Sequence, residues 1–309
     1  MPSSSMPSLR LAAVVAATAL ALTACTNASQ TAAGSSSGPD GFDPSAIQKD
    51  EALAALVSPA LKAKGVLTVG SDTSYAPAEF LGADGQTPQG YDVDIAKAVG
   101  ATLGLSTKVE TAEFTGILPA LGPKYDLGIS SFTINPERAQ TVNFVSYFNA
   151  GVLWAVAKGN PKNFAVEDIC GKKVGVQTGT VEEDPDVSGR SRKCVAEGKP
   201  AIDIVTLKNQ TDVTTRLVNG SIDTMAADSP VIGYALSQTG DKLQTLGEVY
   251  DAAPQGIAIA KSDTALSELV GKVMNKLISD GTYGKILDKW NNSKGAVTTS
   301  EVNPVVVGS

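Results

Sequence analysis

Between residues 66 and 260, short runs of branched apolar residues alternate with segments whose apolar residues recur every three or four positions, and this happens twice. A chain that alternates in this way buries both element types by laying its strands in a mostly parallel sheet and carrying helices across the faces. In the first round Val66-Leu67-Thr68-Val69-Gly70 reads as a strand, followed by a hairpin through Phe80-Leu81 with Asp84-Gly85 at its turn. Residues 91–104 are amphipathic, with Val93, Ala96, Val99 and Leu103 on one face and Gly104 as the stop. Residues 107–110 read as a strand, 116–121 as a short helix and 126–131 as another strand.

The second round follows Val152-Leu153-Trp154-Ala155-Val156-Ala157 and the punctuation of Gly159-Asn160-Pro161. Strands are expected over 173–177, 202–207, 223–227 and 256–260, with helices over 212–218, 266–278 and 283–290. Asp228-Ser229-Pro230 has the chemistry of a helix start, a capping residue followed by an early proline. Two similar α/β rounds, each closing on a strand able to cross over, imply two lobes joined by two strands. The expected division is 61–150 and 254–293 for lobe I and 151–253 for lobe II. Residues 294–309 carry no periodicity and are expected as a loose tail.

Charge and composition narrow the function. The 309-residue chain carries a net charge of −7, which opposes binding to nucleic-acid phosphates. It has no histidine, which removes Ser-His-Asp and Cys-His nucleophiles and the usual zinc ligand. No metal and no cofactor is expected.

The N-terminus speaks of export. Arg10 precedes an apolar run over 11–22, too short for a spanning helix of about 20 residues but suited to a signal segment. It ends in Leu22-Thr23-Ala24-Cys25, which resembles the bacterial lipobox, so Cys25 is the expected lipidation site, with residues 1–24 removed. From 26 to 40 the chain is Ser, Gly, Ala and Thr, the composition of a flexible tether, and residues 25–60 are read as lipidated start, tether and lead-in. A lipoprotein held at the cytoplasmic membrane outside the cell's interior is the localisation this implies. Cys170 and Cys194, an even pair in an exported chain, are expected to form a disulfide.

Over residues 65–290 the chain resembles the family 3 extracellular solute-binding proteins, the amino-acid receptors of ABC importers. The runs that carry the resemblance are Gly65-Val66-Leu67-Thr68-Val69-Gly70, Tyr75-Ala76-Pro77, Gly90-Tyr91-Asp92-Val93-Asp94 and Ile117-Leu118-Pro119-Ala120-Leu121. Thr133-Ile134-Asn135-Pro136-Glu137-Arg138, Val174-Gly175-Val176-Gln177-Thr178-Gly179-Thr180, Ile222-Asp223 and Asp280-Gly281-Thr282-Tyr283 continue it in order. The resemblance implies an α/β, two-lobed, type II periplasmic-binding-protein-like fold, with each lobe a mostly parallel sheet. It implies a monomer that is not an enzyme and that captures a polar amino acid between the lobes by hinge closure. An ABC permease and its ATPase would be the partners, and arginine, lysine and glutamine the candidate ligands.

By the same resemblance Arg138 grips the α-carboxylate and Asp228 the α-ammonium. Ser130, Ser131 and Thr133 offer donors and acceptors from the first lobe, Gln177 and Thr180 face the ligand from the second, and Asp72, Tyr75 and Phe114 line the pocket. The chemistry agrees, since a planar guanidinium pairs with a carboxylate through two parallel hydrogen bonds. Of the four arginines after Cys25, Arg190, Arg192 and Arg216 sit in polar or amphipathic settings, leaving Arg138 after a strand end. Asp72 and Glu182 either make an acidic pocket suited to arginine or lysine, or point outward from a neutral one. Residues 148–152 and 252–256 are the hinge candidates, flanked by Gly151 and Gly256. Two other readings are a tethered amino-acid sensor and a dehydratase-type enzyme on the same fold.

Overall fold

The structure, a computed structural model, describes residue 43 and residues 46–305. The signal segment, Cys25, the tether over 26–40 and tail residues 306–309 lie outside the described residues.

Two short helices, α1 (Glu51–Ala55) and α2 (Pro59–Lys64), lead into β1 (Val66–Ser71), whose Leu67 and Val69 are fully buried. A three-stranded antiparallel ribbon follows, of β2 (Ser74–Tyr75), β3 (Glu79–Leu81) and β4 (Pro88–Gln89). Next come α3 (Tyr91–Leu103), β5 (Ser106–Thr111), α4 (Phe114–Ile117), β6 (Leu127–Gly128) and α5 (Pro136–Thr141). Gly104 closes α3 in the left-handed region at φ 70°, where a side chain is disfavoured. Then β7 (Val142–Ala157) runs for 16 residues into the second half. That half holds β8 (Lys173–Gln177), α6 (Ser188–Ala196), β9 (Asp203–Leu207), α7 (Gln210–Val218), β10 (Thr224–Asp228) and α8 (Ser229–Gln238). The 18-residue β11 (Leu243–Ala260) returns to the first half, where α9 (Thr264–Ser279) and α10 (Thr282–Lys289) complete it.

The main sheet has the order β5-β1-β6-β11-β7-β10-β8-β9. β1 pairs parallel with β5 and β6, and β8 pairs parallel with β9 and β10, so each half is a small parallel sheet. The long antiparallel pair of β7 and β11 belongs to both halves. This is the two-lobed α/β architecture, with two strands crossing between lobes. Separate apolar clusters fill it: one around Leu67, Ile95, Val273 and Ile286, and another around Phe132, Phe144 and Ile117, cover the two faces of the first sheet. Clusters around Met225 and Ile232, and around Trp154 and Val176, do the same for the second. The β7–β11 register shifts between Leu246 and Tyr250, between Tyr250 and Ala253, and between Gln255 and Gly256, so the ladder is broken where the lobes meet. Gly151 lies at this place, and a Cβ there would sit 2.6 Å from the Tyr250 carbonyl oxygen.

Three expectations need correction. The strand read over 126–131 is only Leu127–Gly128, because Ser131 turns the chain into the left-handed region at φ 49°. The helix over 116–121 starts earlier, at Phe114, and ends in a 3-10 turn at Leu118–Ala120. The tail is not loose in its described part: Ser300 Oγ donates to the Ser146 carbonyl oxygen at 2.6 Å, and the Asn303 amide donates to that of Phe144 at 2.7 Å. Residues 296–303 satisfy the outer edge of β7, which polarity along the tail did not reveal. The Cys170–Cys194 disulfide is formed and ties α6 to the segment before β8.

Candidate functional site

The ends of β1, β6, β8 and β10 converge on one narrow cleft between the halves, where ligands of open α/β sheets are held. All ten residues singled out above line it, together with Val181 and Glu182.

In the first-half wall, Asn135 caps α5 by accepting from the Arg138 amide at 2.8 Å, which fixes the start of the helix that carries Arg138. The Arg138 guanidinium donates to the Thr133 carbonyl oxygen at 2.9 Å and, across the cleft, to that of Gly179 at 3.0 Å. It lies over the rings of Phe114 and Phe132, which stack 4.8 Å apart and brace it as a cation–π platform. These contacts leave guanidinium donors for a ligand carboxylate. Asp72 is saturated: Oδ1 accepts from the Ser74 amide and hydroxyl, and Oδ2 from the Phe114 amide and from Gln177 Nε2 of the opposite wall, at 2.6–3.2 Å. Burial raises its pKa, and these hydrogen bonds oppose the shift.

In the second-half wall Asp228 stands at the start of α8, the helix-cap position, yet its side chain makes no capping bond. Instead Oδ2 accepts from Tyr75 Oη and Gln255 Nε2, both at 2.9 Å, and among the described residues no donor bonds Oδ1. Burial, then the charge of Glu182, push Asp228 well above the usual carboxylate range, while Tyr75, Arg138 and Gln255 pull the other way. Glu182 is 2% exposed, and among the described residues its Oε1 has no hydrogen-bond partner. Its pKa is raised by burial; hydrogen bonds from its own backbone and Thr180, and the Arg138 charge, counter that. Burial lowers the Arg138 pKa, and Glu182 followed by Asp228 restore it. Thr180 closes the turn before Glu182 by donating to the Gln177 carbonyl oxygen at 2.8 Å.

The two walls touch. Beyond Arg138–Gly179, Asp72–Gln177 and Tyr75–Asp228, the Gln210 amide donates to Ser74 Oγ at 3.1 Å, and Lys208 pairs with Glu113 at 2.7 Å. The enclosed space is about 10 Å³, roughly one water sphere, so an amino acid enters only when the walls part.

Sequence reasoning left three buried neighbours without a role. Gln255 supports Asp228 from β11, but nothing marks one glutamine in an extended run. Glu79 and Asp92, below the Ser130-Ser131 turn, are charges that read as solvated unless the fold is known.

Residues 67–293 match the model of the bacterial extracellular solute-binding proteins, family 3. The chain is 33% identical over 298 residues to the arginine-binding protein ArgT of Corynebacterium glutamicum, covering 96% of this chain and 97% of that protein. An ancestral arginine-binding protein solved with arginine bound has a TM-score of 0.67 and 32% identity, over 73% of this chain and 98% of its own. The ancestral amino-acid-binding protein AncCDT-1, a precursor of cyclohexadienyl dehydratase, follows with 0.64 and 32%, over 75% and 97%.

Proposed function

As the chain belongs to the bacterial extracellular solute-binding proteins of family 3, we propose that its cleft takes a cationic amino acid, arginine first. The observation that carries this reading is the charge inventory of the cleft. One guanidinium, Arg138, faces three carboxyl groups, those of Asp72, Glu182 and Asp228. With all three ionised, a neutral zwitterion leaves two negative charges unbalanced, the cost that raises these carboxyls in the closed site, whereas arginine brings a second positive charge that favours their ionised forms. Arg138 takes the α-carboxylate, and Asp228 Oδ1 the α-ammonium. Glu182 Oε1 meets the side-chain cation, and Phe114 and Tyr75 flank the aliphatic part. The arginine-binding relatives support the choice.

Binding proceeds by opening and closure about 148–152 and 252–256, where the β7–β11 register breaks. Lobe I then comprises 61–150 with 254–293, and lobe II 151–253. A ligand that touches both walls favours the closed form, by as much as it binds that form better. An ABC permease with its ATPase reads the closed form, and Cys25 lipidation holds the protein at the membrane face.

A second reading, dehydration of a cyclic acid with Glu182 as the proton donor, draws on that buried carboxyl and on the likeness to the dehydratase precursor. The charge inventory opposes it, because three carboxyl groups repel an anionic substrate. The test is a thermal melt of residues 40–309 after ligand stripping, against each amino acid. A ligand at 100 times its dissociation constant adds about 2.7 kcal/mol, a shift of a few degrees. Arginine should raise the midpoint in the parent and not in Arg138→Ala. A well-folded sample that answers to no amino acid sinks the reading.

A further inference from the structure

Under the cleft floor, Glu79 of β3 and Asp92 in the first turn of α3 meet in the protein interior, both fully buried. Gly90 makes the meeting possible: at φ 128°, a Cβ there would lie 2.0 Å from the Ala78 carbonyl oxygen, so only glycine lets α3 begin against β3. The Asp92 amide then donates to that same oxygen at 2.9 Å.

The two carboxyl groups hold the floor from below. Ser130 Oγ donates to Glu79 Oε1 at 2.8 Å and accepts from the Asp72 amide at 3.0 Å. The Ser131 amide and Tyr147 Oη donate to Asp92 Oδ2 at 3.0 and 2.8 Å. Ser131 is the residue held at φ 49°, and Tyr147 lies on the crossing strand β7. One oxygen of each carboxyl remains, Glu79 Oε2 and Asp92 Oδ1, buried and, among the described residues, with no hydrogen-bond partner. Glu79 bonds to Ser130 and Asp92 to Ser131, so the two acids lie against one turn of the floor, where two buried ionised carboxylates would repel.

We propose that Glu79 and Asp92 share one proton, carried by Glu79 and accepted by Asp92, and that this pair positions Ser130 and Ser131 for the ligand. The affinity readout of this proposal rests on the amino-acid-binding reading above; the stability readout does not. Burial, then the charge of Asp92, push Glu79 well above the usual carboxylate range. Burial raises Asp92 to about 6, and the bonds it accepts from Glu79, Tyr147 and Ser131 restrain it. The titratable groups facing the pair are Asp72 after β1, Tyr91 on α3 and Tyr147 on β7, with Asp228 and Tyr283 acting through the tyrosine cluster. All are acids or phenols, and among the described residues no cation bonds to the pair.

The sign of the pH effect follows. A pair that binds its proton more tightly when folded contributes its full stability only below the unfolded carboxyl values, about 4, and that contribution is lost progressively as pH rises from there through neutrality to the folded value of Glu79. Donor and acceptor parity gives a sharper test. Glu79→Gln puts an amide donor against Asp92 Oδ1, and Asp92→Asn puts one against Glu79 Oε2, so each single variant keeps one donor facing one acceptor. The double variant sets two donors face to face.

The experiment measures arginine affinity by calorimetry at pH 7, and thermal midpoints from pH 6 to 10, for the parent, both single variants and the double. The singles should bind within about threefold of the parent, and the double at least about tenfold more weakly, with a midpoint below either single. The alkaline fall in the parent midpoint should shrink in Glu79→Gln. A double variant as good as the singles, or an undiminished alkaline fall in Glu79→Gln, overturns the shared proton. If the parent binds no amino acid, the binding reading fails and the midpoints alone decide the pair.

Discussion

The two walls of the cleft hold their carboxyl groups in opposite ways. On the first-half wall Asp72 accepts four hydrogen bonds, three from its own half and one from Gln177, so each oxygen already has two donors. On the second-half wall Asp228 keeps Oδ1 and Glu182 keeps Oε1 without a donor among the described residues. A saturated carboxylate organises the loop around it. An unsaturated one, buried beside another, gains most when a cation arrives from outside. On the proposed binding mode, the first wall's acid sets shape and the second wall's acids recognise the ligand.

The largest effect should come from Asp228→Asn. On the proposed binding mode it removes the partner of the α-ammonium and sets an amide against Tyr75 and Gln255, so arginine affinity should fall by about 30-fold or more in calorimetry. A loss under threefold would break the comparison at its strongest point. Glu182→Gln should be intermediate and selective: arginine weakens by about tenfold while glutamine changes little, since only the charge is removed. Equal losses for both ligands would mean that Glu182 shapes the turn rather than selects the ligand. Asp72→Asn should be the mildest for binding, within about fivefold, with its effect appearing as a lowered melting midpoint because an amide cannot accept all four bonds. If it weakens arginine more than Glu182→Gln does, the roles of the two walls are reversed.

Much of this was legible in the sequence because strand ends leave local marks. Asp72, Ser130-Ser131 and Asp228 each follow a short apolar run, and Asn135-Pro136 announces the helix that carries Arg138. The crossing strands were harder to read. β7 and β11 change partners and faces along 16 and 18 residues, so neither keeps a period of two, and Pro254 and Gly256 interrupt the second. The supports under the floor were hidden for another reason. Glu79 and Asp92 look like surface charges, and only the close approach at Gly90 brings them together. Glu182 sat in a run of acids, Glu182-Glu183-Asp184, where nothing local says which one turns inward; the structure buries Glu182 and leaves Glu183 and Asp184 more exposed.

On the proposed binding mode, the second wall recognises positive charge on the ligand's side chain. Calorimetry of the stripped protein with arginine and with citrulline, its neutral isostere, tests that claim most directly, because the two differ in charge and hardly in shape. Arginine should bind at least about tenfold more tightly. Citrulline binding as tightly as arginine, or more so, would contradict the account.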